Sequence, residues 1–218
     1  MRQRRKEALS GHTLQLDSRD KIRVIFVFFS LIYQAGACSF SMAIRDIVVY
    51  PDDRLRLPTT AVTVFDEELQ RTVEDMFESM YHYDGIGLAA PQIGLSKRII
   101  VIDIKDTDEE GQVVNRFKYT MINPEILEKR GTETAQEGCL SVPEIYEEVT
   151  RASEVKVKYQ DEHGEEHELK ADGILAVCIQ HEIDHLHGHL FIDYLSTLKR
   201  SRINKKIQKA KKEKQHAE

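Results

Sequence analysis

The sequence predicts an α+β fold in which antiparallel or mixed β-sheets surround a central helix, with a further helix on the N-terminal side and another at the C-terminus. Two observations carry this prediction. Strand-like segments follow one another between residues 98 and 171 without a helical pattern between them. Helical spacing of apolar residues brackets that run, at residues 69–80 before it and at residues 174–186 and 198–214 after it.

The first of these helices follows Thr63-Val64-Phe65-Asp66, which is typical of a capping box. Apolar residues then recur at helical spacing and predict a face that packs on the core. They are Leu69, Val73, Met76, Phe77 and Met80. Gly85 and Gly87 end the helix and begin a loop of small residues that runs to Gln92.

The strands are predicted from β-branched residues and from alternation of apolar and polar positions. The predicted strands are residues 98–104, 118–123, 125–129, 146–151, 155–160 and 167–171. Asp161-Glu162-His163-Gly164 is typical of a hairpin turn and predicts antiparallel pairing of the last two strands.

The central helix, residues 174–186, carries two histidines among apolar residues. One side of it is formed by Ile174, Val177, Cys178, His181 and His185. Residues at i and i+4 lie on the same helical face, so both imidazoles can reach one metal ion. Glu182 completes H-E-x-x-H, in which the glutamate is typically a general base rather than a ligand. A surface helix can carry these letters by chance, and that interpretation stays open at this point.

A catalytic metal site of this type needs a third protein ligand. His187 follows the second histidine by two residues, about 200° round the helix, and so points away. His189 follows a glycine and is typical of a surface residue. Cys178 is one turn before His181, but its apolar neighbours favour a core position. Cys139 has the better setting, because Gly138 permits close approach of the backbone and the following residues are strand-like.

Composition indicates one globular domain. The 218 residues are 41% hydrophobic and 31% charged, which is typical of a soluble protein with a sizeable core. The three cysteines, Cys38, Cys139 and Cys178, are an odd number without a short repeated spacing. A disulfide framework is therefore not expected. This favours a reducing compartment, and we expect the protein to be cytoplasmic.

The domain prediction divides the chain after residue 41. In residues 1–41, the apolar run Val24–Tyr33 follows Lys21 and Arg23 and precedes Ala35-Gly36-Ala37-Cys38, the order found in export or lipidation signals. The run is too short to span a bilayer. We expect instead an extension without a folded role, followed by a single catalytic domain over residues 42–218. An exported or lipidated protein is the alternative.

Charge is distributed unevenly along that domain. The net charge of the whole chain is -6, yet residues 199–214 carry nine basic residues and one acidic residue. The sequence therefore predicts a basic C-terminal helix, residues 198–214, attached to an acidic body. Such a helix favours polyanions such as ribosomal RNA, and a solvated tail is the alternative interpretation.

Three motifs together resemble those of the peptide deformylase family. They are Gly87-Leu88-Ala89-Ala90-Pro91-Gln92, Glu137-Gly138-Cys139-Leu140-Ser141 and Gln180-His181-Glu182-Ile183-Asp184-His185. Their order and separations are similar to those of the family, from about residue 42 to about residue 202. The basic C-terminal helix is similar to that of the Gram-negative bacterial type, whereas residues 1–41 fall outside the resemblance.

The resemblance implies a role for each residue of the motifs. It implies that Cys139, His181 and His185 bind one divalent metal ion per chain, iron(II) in the cell, which zinc or nickel can replace. It implies that Glu182 is the catalytic base, and that the Gln92 side chain and the Leu140 backbone N–H donate to the developing oxyanion. The residues expected to bind substrate are Ile86, Gly87, Glu137 and Gly138. Asp184 is expected to orient a ligand histidine.

The activity implied is removal of the formyl group from the N-terminal formylmethionine of nascent polypeptides. An apolar pocket near Ile86, Leu140, Ile174, Val177 and Cys178 would take the methionine side chain. We expect a monomer without a membrane span that meets the ribosome through its basic helix. The enzymatic alternative is a metallopeptidase, whose third ligand usually lies downstream of the helix. The non-enzymatic alternative is a metal-stabilised binding module with four ligands.

Overall fold

A computed structural model describes residues 43–107, 110 and 112–217 of the chain. Its α-helices are α1 (Glu67–His82), α2 (Gly173–Leu186) and α3 (Thr197–Ala217). Its strands are β1 (Gly87–Ala89), β2 (Ile99–Thr107), β3 (Val113–Arg130), β4 (Glu133–Cys139), β5 (Val142–Arg151), β6 (Glu154–Gln160) and β7 (Glu166–Asp172). The predicted extension, residues 1–41, with its signal-like pattern and Cys38, lies outside the described residues.

The strands form two sheets, and every pairing between these strands is antiparallel. Five strands follow the order β1-β2-β3-β6-β7, and β4 pairs with β5 in a separate ribbon. Helix α2 packs against β1, β2 and β7 of the larger sheet. The predicted α+β class, with a helix at the centre of antiparallel sheets, is confirmed.

Several strand boundaries differ from the prediction. The predicted strands 118–123 and 125–129 belong to one strand, β3, whose pairing with β6 is irregular between Ile122 and Glu125. Pro124 has no N–H to donate and Asn123 has a φ of 51°. The hydrogen bonding to β6 is therefore interrupted at these two residues, although β3 continues on both sides of them. Strands β1 and β4 were not predicted, because small or polar residues dominate both and only pairing with a neighbour makes them extended.

Helix α1 begins one turn later than the capping box predicts. Asp66, rather than Thr63, is the N-cap, and its side chain accepts the N–H of Leu69 at 3.0 Å. The predicted apolar face is confirmed: all five of its residues are buried and pack in a cluster that includes Ile99 and Val101 of β2. This packing holds β2 in place, and β2 in turn holds the edge strand β1.

Helix α2 is buried on nearly all sides, with ten of its fourteen residues buried. One face packs into the core with the inward side chains of β2 and β6; its residues are Leu175, Ala176, Ile179, Ile183 and Leu186. The opposite face lines a cavity, where Ile174 is 55% exposed. Two different surroundings on one helix explain why its sequence is apolar almost throughout.

Helix α3 confirms the helix predicted for residues 198–214. It packs on the body through Ile203 and Ile207, which join a cluster with Val142 and Phe191. Lys199 forms an ion pair with Glu147 at 2.7 Å. Within the part of the chain that the structure describes, no helix is both long enough and apolar enough to cross a membrane.

Candidate active site

Three potential metal ligands converge from two elements. Helix α2 presents His181 and His185 one turn apart, with ring centroids 5.2 Å from each other. Cys139, the last residue of β4, places its Sγ 3.3 Å from Nε2 of His185. One ligand atom from each of these three residues lies within 4.8 Å of the others. The structure therefore brings together the three residues that the resemblance assigns to a metal ion.

The other candidates for the third ligand lie elsewhere. Nδ1 of His187 is 2.9 Å from the carbonyl oxygen of Ile183, in the preceding turn of the helix. His189 is exposed, next to Asp193. Cys178 is buried in the cavity wall, where burial raises the pKa of its thiol well above the usual range. A core-like position for Cys178 agrees with the sequence analysis.

The donor set fits a divalent metal ion. A thiolate and two imidazoles are ligands that first-row divalent ions accept, and three protein ligands leave a position open for substrate or water. Nδ1 of His181 lies 2.8 Å from Oε2 of Glu137, which leaves Nε2 of the same ring free to bind a metal ion. A second observation agrees with a ligand here: within the described residues, Oε2 of Glu182 is buried without a hydrogen-bond partner.

A buried network behind the ligands holds His181. The carboxylate of Glu137 accepts from His181 and from two nitrogens of Arg151, the second of these at 3.0 Å. Burial acts to raise the pKa of Glu137, but the hydrogen bonds from His181 and Arg151 hold it below its usual value. The Glu137 carboxylate therefore stays ionised and acceptor-only, which orients the imidazole. Its predicted role in substrate binding stays a prediction, although the residue also lines the cavity.

The prediction for Asp184 is wrong. Its carboxylate accepts from Arg151 at 2.8 Å and from the Tyr194 hydroxyl at 3.1 Å, and it does not contact a ligand histidine. Adjacent side chains on a helix point in directions about 100° apart, so the Asp184 carboxylate points away from the imidazole of His185. Sequence analysis missed Arg151 altogether. The one available signal was strand alternation, which places Arg151 on the same buried side of β5 as Val149.

Glu182 lies in the tightest part of the site. Its side chain is 4% exposed, and burial raises the pKa of its carboxyl to about 7. Gly87 of β1 lies directly opposite: a Cβ on this residue would be 2.5 Å from Oε1 of Glu182 and 2.8 Å from Sγ of Cys178. Glycine at this position is therefore required by the close approach of strand and helix.

Gln92 directs its amide nitrogen toward the ligand thiol. Its Oε1 accepts the N–H of Ala89 at 2.7 Å, which fixes the orientation of the amide group. Its Nε2 then lies 3.5 Å from Sγ of Cys139 and 3.3 Å from Oγ of Ser141. The buried amide can donate to an atom bound beside Cys139. Ser141, which sequence analysis did not single out, helps to hold that orientation.

One cavity of about 1020 Å³ opens over these groups. Its lining includes every residue of the predicted methionine pocket and of the predicted substrate-binding set, which are Ile86, Gly87, Glu137, Gly138, Leu140, Ile174, Val177 and Cys178. Gly138 lies close under the ring of Tyr146. A Cβ at this position would be 2.6 Å from Cε1 of the ring, which is too close for any side chain. The cavity thus joins an apolar wall to the cluster of Cys139, His181 and Glu182.

Comparison with known proteins gives consistent results. A family model described as polypeptide deformylase matches residues 44–201. The chain is 50% identical over 172 residues to a peptide deformylase of Chromobacterium violaceum, covering 79% of this chain and 99% of that protein. It is 50% identical over 168 residues to one of Alkalilimnicola ehrlichii, covering 77% and 91%.

Solved structures of similar proteins have the same fold. A peptide deformylase from Legionella pneumophila has a TM-score of 0.69 at 46% identity, covering 79% of this chain and 98% of that one. A peptide deformylase from Ehrlichia chaffeensis in complex with actinonin has a TM-score of 0.72 at 40% identity, covering 78% and 98%.

Proposed function

The chain belongs to the polypeptide deformylase family, and on that premise we propose a role for each residue of its active site. The protein is a metal-dependent hydrolase that removes the formyl group from the N-terminal formylmethionine of nascent polypeptides. One observation supports the assignment of roles above the others. The ligand atoms of Cys139, His181 and His185 converge, and Glu182, which follows His181 and lines the same cavity, has a buried carboxylate oxygen without a partner among the described residues.

Cys139, His181 and His185 hold one divalent metal ion, which is iron(II) in the cell and which zinc or nickel can replace. The thiolate and imidazole set accepts all three ions, so the donor atoms support a metal ion without selecting one. When bound, the ion supplies Lewis-acid polarisation of the formyl carbonyl and of a water molecule. Metal analysis of protein purified without oxygen decides which ion it carries.

Glu182 is the general base and then the general acid. It takes a proton from the water that attacks the formyl carbon, and it returns this proton to the amine as the carbon–nitrogen bond breaks. The products are formate and a polypeptide with a free amino terminus. Support comes from the position of Glu182, next to the proposed ligand His181 in α2 and with one carboxylate oxygen that has no partner among the described residues.

The oxygen of the formyl group becomes negatively charged during attack, and two donors stabilise it. They are Nε2 of Gln92 and the backbone N–H of Leu140, the residue after the ligand Cys139. The fixed orientation of the Gln92 amide supports this role, because donors that are already aligned need no reorganisation.

The substrate binds along β1 with its methionine side chain in the apolar part of the cavity. Among the described strands, β1 pairs only with β2, so Gly87 offers its other edge to an extended peptide. Ile86, whose carbonyl accepts the N–H of Asp103 in β2, lines the cavity next to it. Gly138, beneath Tyr146, and Glu137 complete the expected binding residues on the opposite wall.

Formate release tests the proposal directly. Protein loaded anaerobically with iron(II), or with nickel(II), should release formate from formyl-Met-Ala-Ser and leave the peptide bonds intact by mass spectrometry. N-acetyl-Met-Ala-Ser is the matched control for the leaving acyl group. A fully metallated sample that releases no formate would overturn the proposal, and cleavage of the Met–Ala bond would instead favour the metallopeptidase.

Further proposals concern the rest of the chain. We propose that residues 42–218 act as a single catalytic domain, as a monomer in the cytoplasm, and that residues 1–41 have no part in catalysis. The mass of the intact protein from its native cell tests the last point. A mature form that begins at Cys38, with or without a lipid, would support export or lipidation instead.

We also propose that α3 brings the enzyme to the ribosome. A groove of about 780 Å³ runs between this helix and the body, and the helix contributes the basic residues Arg200, Lys205 and Lys209 to its lining. Arg56 and Asp193, on the body side, form an ion pair with each other. Positive side chains along one groove favour contact with a polyanion such as ribosomal RNA.

A further inference from the structure

An aspartate interrupts the row of apolar side chains by which β2 faces α1. Ile99, Val101 and Asp103 alternate along β2 on this face, and the first two pack in the cluster that contains the apolar face of α1. The side chain of Asp103 is 0% exposed. Burial of a carboxylate at such a position is costly unless partners satisfy it, so the partners of Asp103 show what the position does.

Two side chains hold the Asp103 carboxylate. Arg116 of β3 donates to both carboxylate oxygens, and its Nε lies 2.8 Å from Oδ1. Tyr81, in the last turn of α1, donates its hydroxyl to Oδ2 at 2.5 Å. The hydrogen bond from Arg116 lowers the pKa of Asp103 to about 2. The carboxylate is therefore ionised at neutral pH and can only accept, which keeps the Tyr81 hydroxyl as its donor.

The main chain of Asp103 holds a second point of the same segment. Its N–H donates to the carbonyl oxygen of Ile86 at 3.0 Å. Between Tyr81 and Ile86 the chain leaves α1 in a tight turn, where Asp84 has a φ of 55°. We call residues 83–86 the wall loop, because all four line the catalytic cavity. Asp103 thus fastens the chain on both sides of this turn, through its side chain at Tyr81 and through its backbone at Ile86.

The bond to Ile86 also fixes the direction of Gly87, the first residue of β1. Backbone groups of successive residues in a strand point to alternate edges. Ile86 directs its carbonyl to β2, and Ala89 donates its N–H to the Gln92 side chain rather than to β2. Gly87, one residue after Ile86 and two before Ala89, therefore directs its N–H and carbonyl to the open edge of β1. The position of this open edge depends on where Ile86 is held.

We propose that Asp103 and Tyr81 are positioning residues of the active site: through the wall loop, they hold the open edge of Gly87 where it pairs with the backbone of the substrate. Both lie outside the lining of the cavity and act through the loop, without touching the substrate. The inference rests on the proposed function, because it assumes that the peptide binds along β1. The proposed metal ligands and base belong to other elements, so a loosened wall loop weakens substrate binding more than it slows the chemical step.

Tyr81→Phe tests the role with the smallest change. It removes one hydroxyl, keeps the ring that stacks on Phe77 and leaves Asp103 paired with Arg116. With nickel-loaded enzyme and formyl-Met-Ala-Ser, KM should rise by about twofold to tenfold, as the weakening of one hydrogen bond to the substrate would produce. The value of kcat should change by less than about twofold. Nickel content, measured by elemental analysis, should not change.

A matched pair of aspartate variants locates the effect. Asp103→Asn should raise KM at least as much as Tyr81→Phe, because the amide nitrogen cannot accept a hydrogen bond from either partner. The control is Asp161→Asn. Asp161 fastens a different loop, the turn between β6 and β7, by accepting the backbone N–H of His163 and of Glu165 at 2.9 and 3.0 Å. This turn lies outside the lining of the cavity, so the control should lower the melting temperature and keep the KM of the unmodified enzyme.

The outcomes separate this inference from the proposed function. No formate from the unmodified nickel-loaded enzyme would overturn the proposed function itself. An unchanged KM in Tyr81→Phe, at a temperature where the variant is folded, would overturn the inference alone, because a merely structural role lowers only the melting temperature. An equal rise of KM in Asp161→Asn, or loss of nickel from Tyr81→Phe, would also contradict it. If Asp103→Asn does not fold, Tyr81→Phe decides by itself, since it leaves the buried carboxylate paired.

Discussion

Helices α2 and α3 lie close together in the sequence but meet opposite surroundings. Ten of the fourteen residues of α2 are buried, whereas Ile203 is the one buried residue among the side chains of α3 that the structure describes, at positions 197–209. Burial makes each polar group on α2 costly unless a partner satisfies it. The charged residues of α3 are hydrated and bear little on the fold. We therefore expect the chemistry at the buried helix, and any recognition of a polyanion at the exposed one.

The polar residues of α2 differ among themselves in whether they have hydrogen-bond partners. Gln180 bonds to both the N–H and the carbonyl of Ala152, and Asp184 bonds to Arg151 and Tyr194. The atoms of the helix that stay buried without a partner belong to Glu182 and His185. Structural polar residues are thus paired, and the unpaired ones coincide with the candidate active site.

The largest effect should come from removing the base on α2. Glu182→Gln keeps the size of the side chain but cannot take a proton, so kcat should fall by about 10²-fold to 10⁴-fold. Metal content, measured by elemental analysis, should not change, because Glu182 is not a ligand. Activity at the unmodified level would remove Glu182 as the base, and loss of metal would reassign it to metal binding.

Removing Arg151, which pairs with Glu137 and Asp184, should lower both the stability of the protein and its affinity for metal. Arg151→Met leaves the buried Glu137 and the half-buried Asp184 without their cation, which should lower the free energy of unfolding by about 3–5 kcal/mol. Because Glu137 then no longer holds His181 firmly, metal affinity should fall by about 10-fold to 100-fold. Urea unfolding of the metal-free protein and competition with a chelator measure the two effects.

The matched control for that variant is Arg130→Met. Arg130 pairs with Glu128 at 2.7 Å, but 72% of its side chain is exposed. Such a pair contributes about 0–1 kcal/mol. Equal losses of stability in the two variants would contradict the argument that burial gives the Arg151 network its importance.

A smaller effect should follow from adding a side chain on β1 where this strand contacts α2. Gly87→Ala places a methyl group against Glu182 and Cys178, and overpacking of this kind costs about 1–3 kcal/mol. We expect a lower melting temperature and a lower kcat, since the base is displaced. Cys178→Ala in the same chain removes one of the two clashes and should restore part of both. Full activity in Gly87→Ala would show that β1 can move away without consequence.

The smallest effect on the fold should come from α3. Lys205→Gln with Lys209→Gln should change the free energy of unfolding by less than about 0.5 kcal/mol, because both side chains lie at the surface. Co-sedimentation with ribosomes at several salt concentrations should weaken, with the salt dependence reduced by about one unit of slope for each lysine that contacts phosphate. Truncation would be a poorer test, since it removes the buried Ile203.

A control with the same change in charge is Lys97→Gln with Lys129→Gln, on exposed positions outside α3. Equal weakening of ribosome binding in both variants would show that net charge, rather than the basic helix, attracts the ribosome. Unchanged binding in the α3 variant would remove the proposal for this helix.

The sequence predicted elements best where periodicity is strong. The apolar face of α1 and the bounds of α2 were predicted to within a few residues, because burial on one side imposes a regular spacing. Strands β1 and β4 were missed, since neither alternates and each is extended by its pairing with β2 or β5. The cap of α1 was misplaced by three residues, because two polar residues there can each act as a cap.

The candidate ligands and the candidate base could be proposed from the sequence because they are close in sequence or belong to short motifs. The spacing of His181 and His185 places both on one face of a helix, and the motif around Cys139 supplied the third ligand through resemblance. The partner of His181 was not predictable in this way. Glu137 and Arg151 meet on neighbouring strands of the β4–β5 ribbon. Asp184 was the candidate in the sequence analysis because a carboxylate can accept the second N–H of a ligand histidine.

By itself, the sequence determined the helices, the class of the fold and the placement of His181 and His185 on one helical face, because these depend on spacing between residues close along the chain. The tertiary structure decided which buried groups are satisfied and which are not. It alone placed Arg151 behind Glu137 and Gly87 against Glu182. Contacts between distant segments depend on how the sheets and α2 pack, and no local pattern records that packing.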